Sequence, residues 1–481
     1  MVFQNNVLSG AAGSGTAVHT IDQSIRFNQA ENASMSRTPS SASSRTTWTF
    51  SWWWKRGNLS GSTNGTNQRQ PIFGTTAFSI LSNHNSTQID GINVVYTGAA
   101  NDVQTSEKFR DVSAWYNFQA VLDTTNDVAS ERFRLYKNGQ RITDFASITY
   151  PAKDTEYTIN NTQAHYIGLR NSGENLDGYL AEIVFIDGQA LDSSSFGETN
   201  SSGIWIPKDV SGLTFGTNGF HIDGRDSSDL GDDESGNGND FTTTGMGTHD
   251  QVSDSPTNNF AIYNVIDNYI QGATFSNGNL ERTRTGSSRS ATMSNVGMNS
   301  GKWYCEIYIA SHFQTTTMVG VQGYRTDAEG EWPGNGVTNQ GVGYYMNNGQ
   351  KYINGSGSAY GNTYAVGDII GIALDLDNEF VYFSKNGTFQ DSGDPTSGSS
   401  GTGGIDIVTS PANTETGYWF FAIGDGSTNS GSRSSIINFG QEGTFAGNVT
   451  AGGNSDGSGI GNFKYSVPSG YLALCTKNLG S

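Results

Sequence analysis

From Trp48 to Trp54, every second residue of TTWTFSWWWKRG (46–57) is a large aromatic. That alternation has the two-residue period of a β-strand. It places Trp48, Phe50, Trp52 and Trp54 on one face and Thr49, Ser51, Trp53 and Lys55 on the other. No stretch longer than ten residues sustains a helical period. Alternating runs recur instead at 91–97, 114–123, 131–137, 164–170 and 178–187, and again at 301–309, 316–323, 341–347, 367–376, 379–385, 417–424 and 434–440. Short strands separated by turn residues describe β-sandwiches, and 481 residues are too many for one domain. The sequence therefore predicts an all-β fold with two jelly-roll-like sandwiches. The 63 glycines and a hydrophobic content of only 34% fit long polar loops between the strands.

Two of the turns look alike. LYKNGQ (135–140) and FSKNGT (383–388) each end an alternating strand with Lys-Asn-Gly. Asn-Gly suits the positive φ angles of a two-residue hairpin turn, so each run is expected to turn back on itself there. Between the two strand sets the composition changes. FHIDGRDSSDLGDDESGNGNDF (220–241) is rich in Asp, Gly and Asn, and DSPTNNF (254–260) leads out of it. The expected organisation is an N-terminal arm at 1–17, a sandwich at 18–205, an acidic linker at 206–269 and a second sandwich at 270–481. GLTFGTNGFHI, at the start of that linker, alternates well enough to add a strand to the first sandwich. Two Gly/Ser-rich segments, near 390–416 and 441–461, read as long loops that need not pack.

Charge excludes one class of partner. With 26 Lys and Arg against 45 Asp and Glu the net charge is −19, and no basic cluster offers the phosphate contacts that nucleic acid requires. No apolar run is long enough for membrane insertion. The first twenty residues lack the basic start and apolar core of a signal peptide, so synthesis and assembly in a cytoplasm are expected. Cys305 and Cys475 have no CxxC spacing and sit in apolar strands; free core thiols are the default there.

The strand sets resemble two known families. SIRFNQAENASMSR, TFSWWWKRG, WYNFQAVLDTTND…RFRLYKNGQRI and IGLRNSGENLDGYLAEIVFIDGQAL resemble the laminin-G/concanavalin-A-like jelly roll. Trp115, Asp123, Tyr136, Asn138, Gly139, Gly178, Glu182 and Ile183 stand at its motif positions. SGKWYCEIYI, VGVQG, GVGYYMNNG, GDIIGIALDLDNEFVYFSKNG, GYWFFAIGDG and INFGQ resemble the SPRY domain, also a sandwich. The whole order resembles virion structural proteins of marine tailed bacteriophages: an FQNN…GAAG start (Phe3 to Gly13), then SGNGNDFT (Ser235 to Thr242), SPTNNF (Ser255 to Phe260) and a SPRY-like end. That resemblance implies location in the virion after assembly in the host cytoplasm, with capsid or tail proteins as partners. It implies a head decoration or a fibre or tail appendage, and opens attachment to host surface polysaccharide and homo-oligomer formation. A structural cement protein without ligand is the alternative within this class.

Catalytic patterns are weak. Retaining glycosidases of concanavalin-A-like fold need two carboxylates about 5–5.5 Å apart, which a Glu-x-Asp-x-x-Glu strand would supply, and the chain has none. Asp375, Asp377 and Glu379 lie at period 2 where the strand must turn, which fits a solvated turn. Glu182 and Asp187 are oddly spaced on one strand and point to opposite faces. The six histidines show no HxH or HExxH spacing. A non-enzyme is expected, with a carbohydrate-active enzyme as the alternative.

Candidate binding residues are aromatic or acidic. Trp53, alone among polar neighbours, either packs at the edge of the core or offers a platform for a sugar ring. Trp332, Tyr344, Tyr345 and Tyr360 lie in or beside loops of the second sandwich and are candidates for glycan or protein contact; alternation makes core burial equally good for Tyr344 and Tyr345. Asp223, Asp226, Asp229, Asp232, Asp233 and Asp240, with Glu234, Asn237 and Asn239, offer oxygen ligands of the kind Ca²⁺ takes. Their spacing is not that of an EF-hand, and turn formation in a solvated linker uses the same residue types.

Overall fold

A computed structural model describes residues 19–57, 59, 69–82, 90–96, 102–170, 173–266, 273–286, 289–324, 332–335, 339–425 and 431–480. The arm expected at 1–17 lies outside them. The chain divides into two compact units, Met1–Asn259 with Ser276–Gly278, and Phe260–Phe275 with Asn279–Ser481. Strand dominates both.

In the first unit the strands are β1 Ser24–Phe27, β2 Ser34–Arg37, β3 Thr47–Arg56, β4 Gln70–Gly74, β5 Ser79–Ser82, β6 Ile92–Val95, β7 Val103–Thr105, β8 Trp115–Asp123, β9 Phe133–Lys137, β10 Gln140–Arg141, β11 Phe145–Ile148, β12 His165–Ile167, β13 Gly178–Asp187, β14 Gly197–Thr199, β15 Trp205–Pro207, β16 Phe220–Ile222, β17 Thr242–Thr244 and β18 Gln251–Val252. One sheet runs β10-β9-β8-β3-β13-β1-β18, with β16 also on β13; the other runs β11-β7-β6-β5-β4-β12-β2-β17. Trp48, Phe50, Trp52 and Trp54 share one buried core with Phe73, Ile80, Val94 and Ile167 of the facing sheet. Phe50 stacks on Phe73 at 4.5 Å across the two sheets. The alternation read from 46–57 thus sets the inner face, and truncating a fully buried tryptophan such as Trp52 to alanine costs about 3–5 kcal/mol.

Of the segment expected as a linker, 206–269, the part up to Asn259 folds into this unit. β16 pairs with β13, β17 with β2 and β18 with β1. None of the three strands exceeds three residues; the alternation of GLTFGTNGFHI marks the first, and the other two are too short to show a period. The outer face of the first sheet is not solvated either. Lys55 and Asp254 pair at 2.6 Å with both side chains fully buried, and Arg26 pairs with Asp250 at 3.2 Å.

The second unit contains β19 Ala273–Ser276, β20 Glu281–Arg284, β21 Ser290–Met293, β22 Lys302–Ser311, β23 Thr317–Gln322, β24 Gly341–Tyr345, β25 Lys351–Ile353, β26 Ser356–Ser358, β27 Ile369–Asp375, β28 Phe380–Lys385, β29 Thr388–Phe389, β30 Ile405–Asp406, β31 Phe420–Asp425, β32 Arg433–Asn438 and β33 Leu472–Ala473, then a short helix Thr476–Leu479. A nine-stranded sheet, β19-β20-β32-β22-β27-β28-β29 with β30 and β33 attached, and a six-stranded sheet, β21-β31-β23-β24-β25-β26, complete it. Tyr344 of β24 meets Phe383 of β28 across them at 5.5 Å. Cys305 and Cys475 are buried free thiols, and burial pushes the Cys305 thiol up. The two expected loops do pack: in the first, Ile405 and Ile407 are buried. Phe445 is fully buried, and Asp456 accepts from Ser458, Ile460 and Ala473 N–H and from Asn478 Nδ2. Their Gly and Ser content conceals a few buried anchors.

Both Lys-Asn-Gly turns adopt positive φ at Asn and Gly, 45° and 74° at Asn138-Gly139, 49° and 81° at Asn386-Gly387. Two-residue hairpins follow, Lys137 opposite Gln140 and Lys385 opposite Thr388. The asparagines do more than tolerate the turn. Asn138 donates its N–H to Asn117 O and accepts from Asn117 N–H at Oδ1. Asn386 makes the same two bonds with Ile369. Each side chain extends its hairpin's ladder onto the neighbouring strand.

Candidate functional site

The first unit carries an open polar cleft of about 500 Å³ on the outer face of its second sheet. Register explains its floor. Tyr166 lies opposite Ser36, and Ser36 opposite Thr242, while their neighbours Ile167 and Met35 point into the core. One outward row of phenol and hydroxyls therefore crosses β12, β2 and β17. Arg37, Asn239 and Asp240 stand beside that row.

The wall at 233–240 is braced from below. Asp233, buried, accepts from the backbone N–H of His221, Ser235 and Asn239 and from Ser235 Oγ. Asn239 donates to Thr217 O at 3.0 Å and Gly219 O at 2.7 Å, and its Oδ1 accepts from Arg37. Asp240 accepts from Asp233 N–H at 3.1 Å. A loop fixed by this many internal bonds presents its polar groups without an ordering cost on binding. Hydroxyl donors and acceptors, a guanidinium, a carboxylate and one aromatic edge are the groups that an uncharged polyhydroxylated ligand takes.

The aromatic candidates lie elsewhere and are mostly inaccessible. Trp53 is 6% exposed and packs with Ile21, Ala181, Trp115 and Trp205 at the edge of the core. Trp332 (8%), Tyr344 (0%) and Tyr360 (7%) are likewise too covered to stack on a ligand. Arg289 lies 4.7 Å over the Trp332 ring, Tyr344 is part of the inter-sheet core, and the Tyr360 hydroxyl accepts from Phe383 N–H. Tyr345 alone stays half-buried, edge-on to Tyr352 at 5.5 Å.

The acidic candidates do not converge on one ion. Asp226 accepts from Ser228 N–H and Oγ, Asp229 from Gly231 N–H, and both are exposed turn formers with Asp232 between solvent and core. Asp233 and Asp240 brace the cleft wall. Only Asp223 joins a possible metal cluster, and that cluster is not the acidic run: its partners are Glu182 and His221. Glu31, His249 and Asp250 form the other such group among the described residues.

Glu182 owes its position to a bulge. The β13–β3 register shifts between Ala181 and Val184, and Glu182 there has φ +46°, a region that bulges reserve for glycine. The same point divides the other edge of β13, which pairs with β1 up to Leu180 and with β16 from Ile183. Glu182 turns outward to His221 of β16, Nε2 to Oε2 3.0 Å, and His19 Nε2 stands 3.6 Å from Oε1, an ion-pair contact beyond hydrogen-bond range. Burial opposes ionisation of Glu182, yet the two imidazoles pull its carboxyl down to about 2. Burial likewise opposes charge on His221, and Glu182 and Asp223 together outweigh it and raise the imidazole.

In the second unit, Asp375 is spent on a turn. It accepts from Asp377 N–H, Asn378 N–H and Asn378 Nδ2 and pairs with Lys302 at 2.8 Å. The period-2 carboxylates therefore form no cleft pair.

Residues 302–406 match the SPRY domain family. The matched segment spans β22 to β30 and includes the Lys385-Asn386-Gly387 hairpin. Among solved structures, the SPRY domain of human HERC1 is similar over 36% of this chain and 96% of its own, with 18% identity and a TM-score of 0.28. A second human SPRY domain is similar over 33% and 90%, with 17% identity and a TM-score of 0.25. A presumed carbohydrate binding protein from Bacteroides ovatus is similar over 47% of this chain and 58% of its own, with 14% identity and a TM-score of 0.30. At such identities and scores these structures assign no function. No curated protein matches the sequence.

Sequence reasoning missed Ser36, Arg37, Tyr166 and Thr242. Alternation does mark Ser36 and Tyr166 as outward, but nothing local reveals that β2, β12 and β17, more than two hundred residues apart at the extremes, lie side by side.

Proposed function

We propose that the chain is a non-enzymatic surface protein of a tailed-bacteriophage particle, a head decoration or a fibre or tail appendage. Its first sandwich attaches to host surface polysaccharide through the cleft at Tyr166. The observation that carries this reading is the cleft: an aligned row of Tyr166, Ser36 and Thr242 between Arg37 and the braced 233–240 wall. Such a surface suits an extended polar chain, because the row lies across three strands and is open to solvent. The order of segments along the sequence, from the FQNN…GAAG start to the SPRY segment, supports the particle assignment, and a scaffold of sandwiches displaying fixed loops suits recognition.

Gold-labelled antibody against the chain, applied to intact particles, is expected to decorate their surface. Absence of the chain from purified particles would sink the assignment. Purified chain incubated with host polysaccharide is expected to leave the polymer length unchanged, and shortened products would overturn the non-enzymatic reading.

A further inference from the structure

The cluster on the outer face of β13 combines ligand types in a way the cleft does not use. His19 precedes β1, Glu182 occupies the bulge, and His221 and Asp223 lie two residues apart on the outward face of β16 and its continuation. One ligand atom from each of Glu182, His221 and Asp223 lies within 4.8 Å of the other two. All three residues are under 9% exposed. His19 Nε2 and His221 Nε2 approach opposite oxygens of Glu182 at 3.6 and 3.0 Å. Around a tetrahedral ion with bonds near 2.0–2.1 Å, neighbouring ligand atoms are about 3.3 Å apart. The two spacings to Glu182 fall on either side of that value; His19 stands outside the mutually close trio of Glu182, His221 and Asp223, and its half-buried side chain moves in to complete the four.

We propose that His19, Glu182, His221 and Asp223 bind one divalent transition-metal ion of the zinc class, clamping the segment ahead of β1 to β13 and β16. Two imidazole nitrogens and two carboxylates are a donor set for such an ion. Ca²⁺, which takes six to eight oxygens, is poorly served. Supporting contacts are already in place. Phe215 stacks parallel to the His221 ring, 8° between planes, and the His221 backbone is held by Asp233. Asp223 accepts from Arg225 N–H and Nε and pairs with its Nη2 at 2.6 Å. A carboxylate has about four acceptor positions, so one remains for an ion. The strained φ of Glu182 also gains a purpose: the bulge is what turns this carboxylate out between the two histidines.

The test uses the full chain without a histidine tag. Calorimetric titration with ZnCl₂ is expected to show one equivalent bound, and zinc is expected to raise the melting temperature. His19→Gln should weaken zinc binding at least about 10-fold and abolish the melting shift, and His221→Gln should bind no zinc. Because His221→Gln alters a buried position and is liable to misfold, His19→Gln, on a half-buried segment, decides the outcome by itself. Co²⁺ in place of zinc should give the strong visible absorption of a four-coordinate site. No zinc uptake, uptake unchanged in His19→Gln, the weak absorption of six-coordinate Co²⁺, or binding of Ca²⁺ in preference to zinc would each overturn the proposal.

Discussion

Glu182 and Glu306 are buried glutamates on ten-residue strands near the middle of their sheets, yet their acidities are shifted in opposite directions. Glu182 faces two imidazoles and is held at about 2. Glu306 faces neutral donors, the Tyr304 hydroxyl and the backbone N–H of Lys464 and Tyr465, and burial holds it up at about 7. Burial pushes both carboxyls in the same direction. The charge of the partners decides the outcome: at neutral pH Glu182 is an anion, whereas Glu306 is shared between its protonated and ionised forms. The jobs differ accordingly. Glu182 has the chemistry of a ligand, whereas Glu306 pins a covering loop, whose Phe463 and Phe445 pack on Tyr304 and Tyr308 beside it.

The comparison is strained hardest where the partner is a fixed cation. Asp254→Ala leaves Lys55 buried without its carboxylate and is expected to cost about 3–5 kcal/mol in urea unfolding followed by tryptophan fluorescence. A cost near zero would show that partner charge matters less than claimed. Glu306 supplies a test with a sign. Its folded value, about 7, lies above the ordinary 4.5, so the folded state holds a proton that the unfolded chain has lost between those pH values. The stability this group contributes is full below pH 4.5 and is lost as pH rises through about 7, about 3 kcal/mol in all. Glu306→Gln removes that slope, so its stability relative to the parent should rise from pH 5 to pH 8. A flat difference would break the contrast with Glu182.

Smaller effects test the backbone. Asn386→Ala loses the side-chain bonds with Ile369 N–H and Asp368 Oδ1 and strains a positive φ, for about 2 kcal/mol. Asn386→Gly keeps the turn and loses only those two side-chain bonds, for about 1 kcal/mol. Glu182→Gly should be about 1 kcal/mol more stable than Glu182→Ala, since glycine relieves the φ of +46°. Equal stability of the two would mean that the bulge is unstrained.

Much of the fold was legible because its signals are local. The Trp48 to Trp54 alternation names its own inner face, and Lys-Asn-Gly names its own turn. The same locality explains what was hidden. The alternation of GLTFGTNGFHI points to Phe220–Ile222, whereas Thr242–Thr244 and Gln251–Val252 are too short to alternate visibly, so a stretch dominated by Asp and Gly reads as linker while its few apolar residues complete a sheet. Trp53 was ambiguous because its cover, Ile21, Trp115 and Trp205, comes from three distant segments. Spacing rules miss the cluster of Glu182, His221 and Asp223, which the pairing of β16 with β13 brings together. In the acidic run, Asp226, Asp229 and Asp233 satisfy backbone N–H groups of their own turns, the use that the sequence leaves open beside cation binding.

The cleft bears the weight of the functional account, and Tyr166 is its aromatic contact. Titration of purified host surface polysaccharide into the parent chain and into Tyr166→Ala tests it most directly. Saturable binding by the parent, weakened at least about 10-fold in Tyr166→Ala with an unchanged melting temperature, is the predicted result. No binding by the parent, or equal binding by both proteins, would contradict the assignment, and absence of any binding would leave a structural cement role in its place.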